Sequence, residues 1–142
     1  CALPISPQAI ENRFKESSFI EQVMVVGENQ KFPGAIIVPS FQHLRKWCDE
    51  KGIIYTTDAE MIAHPQVISR FTREVEELNN GLSQFEQIKR FELAGKEWTI
   101  DGGELTATLK LRRKVLTERY RELIDRIYQE ESSNSPSDSS RK

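Results

Sequence analysis

Two glycines, two threonines and two lysines crowd into one stretch, Gly102-Gly103-Glu104-Leu105-Thr106-Ala107-Thr108-Leu109-Lys110-Leu111-Arg112-Arg113-Lys114. Paired glycines allow positive φ or close backbone approach, and the β-branched Thr106 and Thr108 favour an extended segment after them. Lys110 would then stand at the end of a tether. A lysine held that way is suited to neutralising charge that develops on a phosphate or carboxylate oxygen. The competing reading is that Lys110, Arg112, Arg113 and Lys114 are the solvated start of a charged helix. Positive charge at a helix N-terminus opposes the macrodipole, which favours a use other than stability.

Other chemistry is hard to find. The chain has no Walker-type glycine loop, no Ser-His-Asp spacing, no H-E-x-x-H and no paired-carboxylate motif. Cys1 and Cys48 are the two cysteines, too isolated for a disulfide framework or a metal-ligand spacing. His43 and His64 stand apart from other ligating residues, and surface or capping roles are expected for both. A formal charge of -2, from 20 basic and 22 acidic residues, argues against general capture of nucleic acid. No apolar run approaches the roughly 20 residues that cross a bilayer, and no signal-peptide pattern opens the chain. The expectation is a soluble protein of a reducing compartment. Its first residues, Cys1-Ala2-Leu3-Pro4, read as the start of an excised piece.

The elements that must position the lysine follow from periodicity. Ser6-Pro7 starts a helix that buries Ile10 and Phe14 and turns Glu11, Asn12, Arg13 and Lys15 to water, ending near Ser17-Ser18. Phe19 to Val26 and Gly34 to Val38 make a hairpin, and the continuous apolar run of the second predicts a strand covered on both faces. Ser40 caps a helix with Phe41, Leu44, Trp47 and Cys48 on one face, ending at Gly52. A short helix carries Met61 and Ile62. After His64-Pro65 a longer one carries Val67, Ile68, Phe71, Val75, Leu78 and Leu82, fraying at Asn79-Asn80-Gly81. Ile88 to Leu93 is a third strand. Val115, Leu116, Tyr120, Leu123, Ile124 and Ile127 then mark a long C-terminal helix, and the serine-rich residues 132–142 are expected to be disordered. The fold class is α+β, a small mixed sheet of about three strands packed with helices in one domain, 1–131.

Four segments in this order resemble one family. They are Ile5-Ser6-Pro7-Gln8-Ala9-Ile10-Glu11-Asn12, Ile20-Glu21-Gln22-Val23-Met24-Val25-Val26-Gly27, Phe85-Glu86-Gln87-Ile88-Lys89-Arg90-Phe91, and Gly103 through Arg113. Together they resemble the C-terminal domain of long-chain fatty acid CoA ligases, in the adenylate-forming superfamily.

The resemblance implies a two-step ligase. A fatty acid and MgATP give an acyl-adenylate and pyrophosphate, and coenzyme A then displaces AMP. It implies a mobile lid working against an N-terminal adenylating domain of the same protein, with Lys110 the adenylation lysine and Lys114 the fallback. Phe85, Gln87 and Lys89 would form part of the coenzyme A face. Glu86 and Gln87 stand where some relatives are basic, and Ala107 stands where long-chain members usually have proline. ATP, Mg2+ and coenzyme A would be used by the full enzyme, with none bound by this piece alone, which would be inactive by itself. No metal site and no nucleic-acid partner are implied. The location would be cytoplasmic, with peripheral contact at the inner membrane face through the other domain. The alternative is a non-catalytic protein-interaction module.

Overall fold

The computed structural model describes residues 6–129, so the serine-rich tail at 132–142 lies outside the described residues. Three strands form one mixed sheet in the order β1-β2-β3: β1 is Ile20–Val26, β2 is Gly34–Pro39 and β3 is Arg90–Leu93. The first pair is the expected antiparallel hairpin, with a register irregularity between Ile20 and Gln22. The second pair is parallel, Gly34 facing Arg90 and Ile37 facing Leu93. Parallel pairing requires a crossover. It is supplied by α2 (Phe41–Lys51), α3 (Asp58–Ala63) and α4 (Pro65–Asn79), while α1 (Pro7–Phe14) precedes the sheet. The third strand is shorter than its sequence suggests, because Ile88 is held by a side chain instead: Asn79 Nδ2 donates to the Ile88 carbonyl and the Ile88 N–H donates to Asn79 Oδ1, both at 2.9 Å. Asn79 therefore clamps the end of α4 rather than fraying it.

Every residue of β2 is buried, as its unbroken apolar run predicts. Alternation sends Ala35 and Ile37 to one face with Ile10, Phe14, Leu44, Cys48, Phe71 and Val75. Ile36 and Val38 go to the other face, with Met24, Trp98, Leu116 and Ile127. Cys48 is a core residue, and burial pushes its thiol pKa up. Gly52 ends α2 at φ 70, as expected. Ser6 and Ser40 occupy N-cap positions, yet neither side chain caps its helix. His64 does cap, its Nδ1 accepting the Gln66 N–H at 3.1 Å, and His43 packs edge-on against Phe19.

The C-terminal helix runs as two consecutive segments, α5 (Arg113–Arg119) and α6 (121–129), with a turn at Tyr120. The Tyr120 hydroxyl accepts the Trp98 indole N–H at 3.1 Å, which ties the turn to the second core. Further on, Tyr128 donates its hydroxyl to the Phe32 carbonyl at 2.9 Å, and burial pushes its pKa up to about 12. Gly34 makes room for α6. A Cβ there would stand 3.0 Å from Ile127 Cγ2 and 3.3 Å from the Arg90 carbonyl oxygen.

Candidate functional site

The segment from Gly102 to Lys110 is a tight looped turn, not the extended tether its threonines suggest. Leu105 and Leu111 form an isolated antiparallel bridge, and within it the Thr106 N–H donates to the Lys110 carbonyl at 2.8 Å. Leu109 N–H returns to the Thr106 carbonyl at 2.8 Å, which places Leu109 at φ 67. A β-branched residue can serve this turn because its hydroxyl is used locally. Thr106 Oγ1 accepts the Lys110 N–H and lies 3.1 Å from Thr108 Oγ1. Gly103 takes φ 88. Gly102 is needed for a different reason, since a Cβ there would run into the Glu104 carboxylate.

Two buried carboxylates hold the limbs of this turn. Glu104, 4% exposed in its side chain, accepts the Thr99 N–H at 2.9 Å and Arg119 Nη1 at 2.6 Å, while its carbonyl takes the Arg112 N–H at 2.8 Å. Glu11, 6% exposed in its side chain, accepts both Arg113 guanidinium nitrogens at 2.7 Å and the Val25 N–H at 2.8 Å. The hydrogen bonds to Glu11 hold the Arg113 pKa above its ordinary value. Glu11 thus corrects the expectation that it faces water, and Arg113 corrects the picture of a uniformly solvated basic run. The amphipathic pattern of α1 places Ile10 and Phe14 inward, and a carboxylate next to them could be read as polar surface. Its one sequence signal is that Glu11 and Glu104 both lie in the segments that carry the family resemblance.

Lys110 itself is exposed, and among the described residues no carboxylate pairs with its ammonium. It lies on the rim of an open groove of about 680 Å³ floored by Gln22, Trp98 and Leu105 and edged by the exposed Ile100 and Leu109. The groove wall is fixed by a two-way link: Gln22 Nε2 donates to the Trp98 carbonyl and the Trp98 N–H donates to Gln22 Oε1, each at 2.8 Å. Lys114 lies outside this groove, on the first turn of α5 beside Arg112 and Glu118.

Phe85, Gln87 and Lys89 sit elsewhere, in the loop that leads into β3, and none of them lines the Lys110 groove. Phe85 is 62% exposed. Glu86 turns back to accept the Ser83 hydroxyl at 3.2 Å, Gln87 donates weakly to the Leu82 carbonyl at 3.4 Å, and the Lys89 N–H donates to the Pro33 carbonyl at 3.1 Å. The backbone is anchored while the Phe85 ring and the Lys89 side chain face outward. The three residues precede β3 at one edge of the sheet, whereas the Lys110 groove is lined from α1 and from β1 at the other edge, so the two sets lie on separate parts of the domain.

Comparison with known proteins gives a single answer. The family model of the AMP-binding enzyme C-terminal domain matches residues 4–132. Human long-chain-fatty-acid–CoA ligase 1 is 34% identical over 127 residues, covering 87% of this chain and 18% of that protein. Long-chain-fatty-acid–CoA ligase FadD15 of Mycobacterium tuberculosis is 28% identical over 128 residues, covering 89% of this chain and 21% of that protein. The chain thus spans about a fifth of the length of these relatives. In fold it is similar to part of the A-PCP didomain of carboxylic acid reductase from Segniliparus rugosus, solved in complex with AMP. The TM-score is 0.71 at 20% identity, over 91% of this chain and 16% of that one. The interaction-module alternative is not favoured.

Proposed function

The chain belongs to the family of AMP-binding enzyme C-terminal domains, and from that premise we propose that it is the lid of an ATP-dependent long-chain fatty acid CoA ligase. The observation that carries this is the state of Lys110, a cation that no carboxylate pairs among the described residues, on a turn whose two limbs are each fastened by a buried carboxylate. In the first step a fatty acid carboxylate oxygen bonds to the α-phosphorus of ATP and pyrophosphate leaves. Lys110 offsets the negative charge where carboxylate and phosphate oxygens meet. In the second step the coenzyme A thiol attacks the acyl carbon and AMP leaves, with the Phe85, Gln87 and Lys89 surface taking the nucleotide end of coenzyme A. Separate surfaces for the two steps suit a domain that turns between them against an adenylating partner domain.

No cluster of three His, Cys, Asp or Glu side chains among the described residues could hold a metal ion. Mg2+ in this reading travels with ATP on the partner domain. The resemblance also supports a cytoplasmic setting, with any contact at the inner membrane face made through that domain. The test is Lys110→Ala in the enzyme that joins this chain to its adenylating domain, with each half-reaction assayed alone. Acyl-adenylate formation is expected to fall about 100-fold or more, with thioester formation from preformed adenylate largely kept. Unchanged adenylation would remove Lys110 from the mechanism.

A further inference from the structure

We propose that Glu11 and Arg113 are positioning residues for Lys110, acting as a latch that joins the lysine turn to α1 and β1. The proposal rests on the reading of Lys110 as the adenylation cation. Arg113 lies three residues beyond Lys110, at the point where the turn's second limb enters α5. Its guanidinium meets Glu11 through two parallel bonds of 2.7 Å, the geometry that fixes orientation as well as distance. Glu11 is fixed in turn, because the oxygen that receives Arg113 Nη1 also receives the Val25 N–H of β1.

A purely stabilising role accounts poorly for this arrangement. An ion pair with one partner buried and the other half exposed, Glu11 at 6% and Arg113 at 42%, is weak evidence for stability, since desolvation of the carboxylate and solvent screening of the guanidinium offset much of the attraction, and the better-attested use of such pairs is to select one arrangement over others. The turn needs such selection. Leu109 is a non-glycine residue at positive φ, 66% exposed and with little packing of its own to hold it there. Strained conformations of this kind persist where the surroundings over-determine them. Glu104 secures the first limb through Thr99 and Arg119, and Glu11 secures the second through Arg113. Removing one latch leaves Lys110 attached but free to shift, and a displacement of about 1 Å can slow a reaction about 100-fold.

The test has two parts. In the full enzyme, Glu11→Gln and Arg113→Ala are expected to lower kcat for adenylation about 10- to 100-fold. The KM for ATP and thioester formation from preformed adenylate should change little. With Lys110→Ala already present, Arg113→Ala should cost nothing further, because the latch acts only through the lysine. Equal losses in both half-reactions, or full additivity with Lys110→Ala, would overturn the proposal in favour of general destabilisation. In the 142-residue chain, amide hydrogen exchange of Thr106, Leu109 and Lys110 is expected to quicken about tenfold or more in Glu11→Gln, with the β2 amides unchanged. Unaltered exchange there would overturn the latch whatever Lys110 does. Adenylation that survives Lys110→Ala would instead overturn the reading on which the latch rests, so the two failures are separable. Arg45→Ala, which breaks the exposed pair with Asp58, serves as the control.

Discussion

Glu104 does the work of several residues. Its carboxylate receives Thr99 and Arg119, its carbonyl receives Arg112, and Gly102 leaves the space it folds into. Gly102→Ala should therefore force the carboxylate out of place, and urea unfolding should show a loss of about 1–3 kcal/mol. Thr106 works in the same turn at smaller scale. Thr106→Val removes the acceptor for the Lys110 N–H, and a separate half-reaction assay should find adenylation slowed by up to about 100-fold with the fold retained. Lys110 stood out as a candidate in the sequence because glycine, hydroxyl and cation spacing all converge on it. Its supports gave no such signal. Glu11 stands 102 positions from Arg113, and no periodicity in either helix announces a partner that far away.

At the scale of elements, β2 is the clearest success of pattern reading: an apolar run without alternation, buried at every position between two cores. The caps were less legible, since Ser6 and Ser40 have the favoured type but leave the job undone, whereas Asn79 ends α4 through a clamp on Ile88, across the loop that leads to β3. Two predictions concern α6. Gly34→Ala presses a methyl onto Ile127 and should destabilise the chain by about 1–3 kcal/mol in denaturant unfolding. Tyr128 gives a pH signature. The folded chain keeps the phenol neutral to about pH 12, while the unfolded chain ionises it near its ordinary value of 10. Its contribution is therefore complete below pH 10 and is lost as pH rises from 10 to 12. Tyr128→Phe should lower stability by about 1 kcal/mol at neutral pH and flatten the alkaline decline measured by circular dichroism.

For the whole molecule, the arrangement of two separate surfaces carries its own prediction. If Phe85 stacks on the nucleotide end of coenzyme A, the contact contributes roughly 1–3 kcal/mol, and Phe85→Ala should raise the KM for coenzyme A roughly 5- to 150-fold. Adenylation by that variant should be unchanged when measured by pyrophosphate release. The latch between Glu11 and Arg113 also orders events in time. During synthesis at about 5–20 residues per second, the carboxylate leaves the ribosome roughly 5–20 seconds before the guanidinium that completes it. Until then a buried acceptor of β1's Val25 is only partly satisfied and the lysine turn has no second anchor. Lys110 is held in place only when nearly the entire domain has been made and folded, so a truncated or half-folded chain cannot fix its position.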